Sequence, residues 1–415
     1  MMANISNGFK KVRVTIIEGC DFESFPTGGV LPFLHNCLLC ENIPLDIKLI
    51  GLSTDRQDRI GKWRECKIGA KNYPFLPVAF CSKETAEHPS LVPNRAKMLA
   101  GLFVYLYKVI KACDVIYVHS PELALPFVMF SRSKKVLIHV HGIPDYAAMN
   151  SRYAWVRKSF YRKLYHKSLD VIFKRADKVI WVSKDGLSRS SQFSGLAEKS
   201  IIIPTSVDTA MFVPMDKAAL RVKYKIPADI KLIGFLGRLN NSKRPELLLD
   251  AYSSLVGQRR DVGLLYIGDG ELRRELEAQS KKAGFSERIY FSGKIKHSLV
   301  PEYINLVDVG CLPSKAGEGF PLTVLEFLAC GVPVVASNLA DIASVIKDQI
   351  TGFLVKSGSA IEFAEKISSA LDAAPHLRSN CINMANEYSA DKIGSRVFEE
   401  VARVAEKCSV SNYGE

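Results

Sequence analysis

KLIGFLGRLNNSKRPELLLDAYSSLVGQRRDVGLLYIGDG, residues 231–270, decides the fold. Leu232–Leu236 is a short apolar run, Pro245–Val256 repeats its apolar residues at helical spacing, and Gly263–Ile267 is a second apolar run. Short strands that are apolar on both faces and separated by helices build a parallel sheet covered on both sides. Downstream the rhythm continues through a helix at Leu272–Ala283 and strand candidates at Ile289–Ser292, Val309–Leu312, Val334–Ala336 and Gly352–Val355. Upstream, Val12–Ile17, Ile47–Leu52, Val115–Val118, Val136–Val140, Val179–Val182 and Ile201–Ile203 read as strands, with a helix over Val30–Glu41. Pro204–Asp229 interrupts the alternation and marks a domain join.

The fold class expected is therefore α/β: two tandem Rossmann-like, doubly wound domains facing across a cleft. Residues 1–205 form the first and 206–389 the second, and 390–415 add a helix returning toward the first. Ligands of such sheets bind outside the carboxyl ends of the strands, and a cleft between two domains is the natural place. A length of 415 residues suits two domains, and 47% hydrophobic with 24% charged residues excludes a disordered, collagen-like or coiled-coil chain. The longest apolar stretch, Met98–Tyr107, is half of the roughly 20 residues a membrane span needs. Met1–Lys11 has no apolar core of a secretory signal, so the chain reads as cytoplasmic, and its ten cysteines as reduced, buried thiols.

The net charge of +13 lies wholly in residues 1–200, which hold 30 Lys and Arg against 17 Asp and Glu; the remainder is balanced at 26 of each. A basic half suits something anionic: nucleic acid, an anionic membrane surface or a phosphorylated substrate.

The chemistry concentrates in Gly317-Glu318-Gly319-Phe320-Pro321-Leu322-Thr323-Val324-Leu325-Glu326, between the strand Val309–Leu312 and a helix ending near Gly331. Pro321 suits a helix first turn, whose free N–H groups, with Gly319 allowing close approach, bind an anion. Carboxylates such as Glu318 and Glu326 beside that site accept hydrogen bonds from sugar hydroxyls. Gly237-Arg238 ends one strand and Lys243 opens the next helix, so two cations flank a strand-to-helix loop where a diphosphate could sit. Ile267-Gly268-Asp269-Gly270 and Phe291-Ser292-Gly293-Lys294-Ile295 end further strands. No third glycine completes a dinucleotide fingerprint, which argues against a nicotinamide-dependent oxidoreductase.

In order and spacing these pieces resemble the donor domain of the GT-B glycosyltransferases, specifically glycosyltransferase family 4. The likeness covers about 120 residues and runs on through Ala329-Cys330-Gly331-Val332-Pro333-Val334-Val335-Ala336 to Gly352-Phe353-Leu354-Val355. It implies that Arg238 and Lys243 hold the donor diphosphate, Glu326 the ribose hydroxyls and Glu318 those of the transferred sugar. Gly237, Gly268 and Gly293 line the site, and the backbone of Gly319, Phe320, Pro321, Leu322 and Thr323 faces the sugar and distal phosphate. The backbone at Lys294 and Ile295 edges the base. The family implies retention of anomeric configuration, a UDP- or GDP-sugar donor, and no bound metal or other cofactor; no Asp-x-Asp pair occurs in the chain.

The first half matches more loosely. Gly28-Gly29 resembles the family's glycine loop at the donor phosphates, and His141, in His139-Val140-His141-Gly142, the histidine beside the donor sugar. Thr205-Ser206 stands where many members have Asn-Gly. Ser151–Lys178 carries nine Lys and Arg against Asp170 and Asp177. In it Phe160, Tyr161, Leu164, Tyr165, Leu169, Ile172, Phe173 and Ala176 form an apolar stripe expected to pack on the sheet, leaving a basic face for lipid headgroups. Cys37-x-x-Cys40 reads as a buried pair in a helix. The function expected is a retaining glycosyltransferase moving a sugar to a glycan or lipid-linked, phosphate-bearing acceptor of bacterial surface polysaccharide or lipopolysaccharide. It would sit peripherally on the inner face of the plasma membrane, with nucleic acid excluded as a partner. A GT-B sugar-nucleotide epimerase or hydrolase, and more remotely a basic nucleic-acid-binding protein, are the alternatives.

Overall fold

The computed structural model describes residues 11–23, 29–41, 43–81, 92–131, 133–142, 158–315, 320, 322–339 and 341–411. The chain divides into two compact units, Met1–Pro204 with Ile393–Glu415, and Thr205–Lys392.

Among the described residues the first unit holds eight strands: β1 (Val12–Ile17), β2 (Leu45–Ser53), β3 (Arg64–Ile68), β4 (Lys71–Phe80), β5 (Val115–Val118), β6 (Lys135–Val140), β7 (Lys178–Trp181) and β8 (Ser200–Ile202). Their order is β3-β4-β2-β1-β5-β6-β7-β8. All neighbours are parallel except β3 and β4, an antiparallel hairpin. That hairpin is absent from the sequence reading. Its alternation of charged and apolar residues, as in Arg64-Glu65-Cys66-Lys67-Ile68, marks an edge strand with one face in solvent rather than a buried run. The strand order reverses between β1 and β5, so this is the unit's topological switch point.

Each face of the sheet builds its own core. On one lie helices Asn94–Val104, Leu106–Ala112, Leu125–Phe130 and Ser159–Arg175, burying Met98, Val109, Phe127, Ile172 and Phe173 against Ile17, Ile116 and Ile138. On the other lie helix Val30–Leu39 and the C-terminal helix Ala390–Ser411, whose Ile393, Val397, Phe398 and Val401 pack with Phe33, Leu38 and Val115. Gly394 presses so closely on this face that a Cβ there would land on the Cys40 sulfur. The helix expected to continue to Glu41 stops at Leu39, where Cys40 turns to extended backbone. The cysteine side chains that the structure describes are buried, and burial pushes the Cys37 thiol well up.

The stripe expected along Ser151–Lys178 is only half right. Leu169, Ile172, Phe173 and Ala176 are buried, but Phe160 and Leu164 face outward, 80% and 56% exposed. No described helix is long and apolar enough to cross a membrane.

The second unit is a six-stranded parallel sheet of β9 (Lys231–Leu236), β10 (Val262–Ile267), β11 (Ile289–Phe291), β12 (Val309–Leu312), β13 (Val334–Ser337) and β14 (Gly352–Val355). The order is β11-β10-β9-β12-β13-β14, with the switch point between β9 and β12. At their amino ends these two strands are pinned by Asp308. Its carboxylate takes the Leu232 amide at 2.7 Å, and the side chains of Lys217 and Arg221 at 2.8 Å each. The long helix Ala360–Asn386 lies on this core through Phe363, Ile367 and Leu371.

Candidate functional site

In the second unit, Gly237 follows β9 and Gly268 follows β10, at φ 147° and 137°. A Cβ on Gly268 would strike the Gly237 carbonyl oxygen. The two strand ends approach as closely as backbone permits, which only glycine allows. Asn240 shapes the next loop. Its side-chain oxygen accepts from the Ser242 hydroxyl at 2.9 Å and the Lys243 amide at 3.1 Å, a local turn of the kind Asn favours. Arg244, at φ 50°, closes that loop, and Pro245 opens the helix. The Lys243 side chain folds back to 4.0 Å from where a Cβ on Gly237 would lie, and Arg238 beside it is exposed. The Lys315 amide donates to the Ser242 carbonyl at 2.9 Å. The loop after β9, with both cations, is thus tied to the loop after β12, across the switch point.

That second loop leads to Phe320, whose ring lies 5.5 Å from Tyr388, and to helix Leu322–Ala329. Leu322 and Thr323 are half-buried at its start, and Val324 to Ala329 are buried. Glu326 is therefore a buried carboxylate, 5% exposed, at the sheet's carboxyl edge. Its neighbour is His297, missed by the sequence reading: Nε2 lies 3.8 Å from Glu326 Oε1. The link is local. Gly268 bridges to Gly293, and the Ser292 hydroxyl accepts from the Gly268 amide at 3.2 Å while donating to the Gly293 carbonyl at 2.8 Å. Exposed Lys294 and half-buried Ile295 then run into His297. The structure so gathers Gly237, Arg238, Lys243, Gly268, Gly293, Lys294, Ile295 and Glu326 around the carboxyl ends of β9, β10, β11 and β12. Gly28, Glu318, Gly319 and Pro321 lie outside the described residues.

Attraction to the Glu326 carboxylate raises the pKa of His297 against the opposing pull of burial. A raised pKa makes the pair's stabilisation complete below the unfolded imidazole value and lost as pH rises through the folded one. Because His297 is half exposed, solvent screening holds this to about 0.5 kcal/mol. His297→Gln is accordingly expected to cost stability at pH 6 and little at pH 8.5, read from urea midpoints at the two pH values.

In the first unit, Gly29 precedes helix Val30–Leu39 with ordinary helical backbone, and open space surrounds the place of its missing side chain. At the ends of β5 and β6 three histidines meet. His119 Nδ1 lies 2.8 Å from His141 Nε2, and His139 Nδ1 2.6 Å from the Tyr117 hydroxyl. The rings are near-parallel, and Phe33 packs against all three. Burial pushes all three pKa values down, that of His141 to about 3, so the cluster is neutral. His119 Nε2 is buried without a partner. An orphaned lone pair there costs less than an orphaned N–H, so His119 Nδ1–H donates to His141 Nε2. His141 then carries its proton on Nδ1. One nitrogen from each ring lies within 4.8 Å of the others, a donor set that could hold a metal ion and that sequence spacing did not reveal. A buried carboxylate, Glu18, lies nearby at the end of β1 and accepts from the Ser120 hydroxyl at 2.9 Å.

Comparison with known proteins follows this geometry. The model described as "Glycosyl transferases group 1" matches residues 216–388, and that described as "Glycosyltransferase Family 4" matches residues 77–211. Both units thus match glycosyltransferase family models. Its fold is the GT-B architecture. A crystal structure of Anabaena HepE in complex with UDP and glucose is similar at TM-score 0.71 and 18% identity, covering 94% of this chain and 99% of that one. Sucrose-phosphate synthase from Thermosynechococcus elongatus matches at TM-score 0.72 and 17% identity, over 95% and 99%. At these identities the likeness is one of fold. Among curated relatives, the D-inositol 3-phosphate glycosyltransferase of Geodermatophilus obscurus is 26% identical over 223 residues, 52% of this chain and 49% of that protein. The chain spans about half the length, or less, of such relatives.

Proposed function

We propose that this chain is a retaining family-4 glycosyltransferase that moves a sugar from a UDP- or GDP-sugar to a glycan or lipid-linked, phosphate-bearing acceptor of bacterial surface polysaccharide, without a metal. The observation that carries this reading is the loop pair at the β9/β12 switch point. Arg238 and Lys243 stand on one loop, and the other leads to the buried carboxylate of Glu326. Two cations match a diphosphate, and a carboxylate fixed in the interior matches the paired hydroxyls of a ribose. UDP in the HepE complex and inositol phosphate in the relatives' name are consistent with such a donor and acceptor.

In the proposed reaction the bond from anomeric carbon to distal phosphate oxygen breaks, and the acceptor oxygen bonds to that carbon from the same face. The acceptor's proton passes to the departing phosphate. Arg238 and Lys243 stabilise the charge that gathers on the leaving diphosphate. In this reading His141 offers its ring N–H to a hydroxyl of the transferred sugar. The basic first unit brings the chain to a phosphate-bearing acceptor at an anionic membrane.

The test is a thermal-shift series with UDP, GDP, ADP, CMP and NAD on the wild type and Arg238→Ala. One nucleoside diphosphate is expected to raise the melting temperature by several degrees, with most of the gain lost in the variant. Stabilisation by NAD alone would overturn the transferase reading. Release of free sugar or an epimerised donor without acceptor would move it to hydrolase or epimerase chemistry.

A further inference from the structure

The segment after β10 carries a second arginine, at the start of the helix Arg273–Lys282. Arg273 Nε donates to the Glu277 carboxylate at 2.7 Å, and its Nη1 to that of Asp269 at 3.4 Å. The same Nη1 reaches across to the end of β11. A Cβ on Gly293 would lie 2.9 Å from it, so the guanidinium occupies the space that a side chain at 293 would take. Gly293 also stands at φ 67°, a backbone that other residues adopt only with strain. The loop is held on both sides. The Leu272 amide donates to the Leu239 carbonyl at 3.1 Å, on the loop after β9, and Gly268 bridges to Gly293. Arg273 thus lies against the point where β11 gives way to Lys294 and Ile295.

The partners of this arginine select what it can take. Asp269 and Glu277 balance its charge, and hydrogen bonds from a guanidinium run in its plane and leave its faces. Among the described residues Arg238 has no such carboxylate partner. An arginine whose charge is already answered is a weak ligand for phosphate. It remains a flat, polarizable plate, and such a plate stacks on a planar neutral ring. The spacing agrees. In the sheet β9 and β11 stand on either side of β10, so they are two strand spacings apart, about 10 Å. That is the distance from the phosphates of a nucleotide to its base. With a diphosphate on Arg238 and Lys243 after β9, the base reaches the end of β11, beside Arg273.

We infer that the Arg273 guanidinium is the plate on which the nucleobase of the donor stacks, with the backbone at Lys294 and Ile295 along the edge of the base. The inference rests on the proposed donor site and deepens it by dividing the two arginines: Arg238 serves the diphosphate and Arg273 the ring. Every base has a π-face, so stacking on Arg273 supplies affinity common to all nucleotides. Choice among bases is left to the bonds along the edge.

The experiment is calorimetric titration of the full chain with UDP and GDP, together with displacement of the bound nucleotide by inorganic pyrophosphate, which has the phosphates and no base. Arg273→Ala is expected to weaken nucleotide binding about tenfold and to leave that of pyrophosphate unchanged. Arg273→Lys keeps the charge and loses the plane, and is expected to weaken the nucleotide to the same degree. Arg238→Ala is expected to weaken nucleotide and pyrophosphate alike. Circular dichroism melting confirms that each variant folds; should the alanine variant fail to fold, the lysine variant, which keeps a cation for Asp269 and Glu277, decides. Wild-type nucleotide affinity in Arg273→Ala overturns the inference and leaves the donor site standing. So does an equal loss of pyrophosphate, which would make Arg273 a phosphate ligand, or wild-type affinity in Arg273→Lys, which would make its charge the working part. A wild type that binds neither nucleotide overturns the proposed donor and this inference with it.

Discussion

Lys243→Ala is expected to lower the transfer rate by two to three orders of magnitude while leaving the melting temperature within a few degrees of wild type. The size follows from where the ammonium stands. The Lys243 side chain folds back toward Gly237, on a loop tied through Lys315 to the loop after β12. Losing one preorganised donor of developing charge costs about 3–4 kcal/mol, a factor of 10² to 10³ in rate. Folding is spared because the side chain is outside the core, and the loop is shaped by its backbone amide, which the substitution keeps. Glu318→Ala is expected to lose rate to the same degree through the sugar hydroxyls. Single-turnover kinetics with saturating donor separate the chemical step from binding. Wild-type turnover in either variant would remove the residue from the mechanism.

The second large effect is on stability. The first unit should unfold steeply as pH falls from about 6.5 to 4, because it keeps three histidines neutral. Their folded pKa values are depressed, chiefly by burial. A depressed group contributes stability that is complete above its unfolded pKa and lost as pH drops toward the folded one. Each such histidine adds a slope of about 1.4 kcal/mol per pH unit, so three together remove several kcal/mol within one or two units. Trp63 and Trp181 belong to the first unit and residues 205–392 hold no tryptophan, so tryptophan fluorescence in urea follows the first unit. His139→Gln is expected to be less stable at pH 7, where it loses the Tyr117 contact, yet shallower in pH dependence by about one proton. The difference between variant and wild type cancels other titrating groups. Glu18 is among them: burial raises its pKa, so it acts in the opposite sense. An unchanged slope would mean that His139 is already charged in the folded state.

Much of the architecture is legible in local pattern. Val115–Val118, Val309–Leu312 and Gly352–Val355 are strands with the bounds their apolar runs suggest, because a strand buried on both faces leaves an unbroken hydrophobic signature. The edge strand β3 escaped because, half in solvent, it alternates charge with apolarity over only five residues, and β4 because Pro74 and Pro77 interrupt its apolar run. The stripe at Phe160 and Leu164 misled because helical spacing shows which residues share a face but not whether that face finds a sheet. Arg238, Lys243 and Glu326 were readable because each lies just after a strand or on the helix that follows one, and in a doubly wound sheet such places converge by topology.

By itself, then, the sequence determined the two α/β sheets, the cations and carboxylate at their carboxyl edges, and the basic bias of the first half. These are set by short-range periodicity and by residue chemistry. Only the tertiary structure decided which distant groups meet: His297 with Glu326 across 29 residues, the histidines of β5 and β6 under Phe33, and Arg273 with the backbone at Gly293. Contacts of that kind depend on strand order and helix rotation. A burial pattern can be repeated along the chain, but it does not record which neighbour the fold supplies.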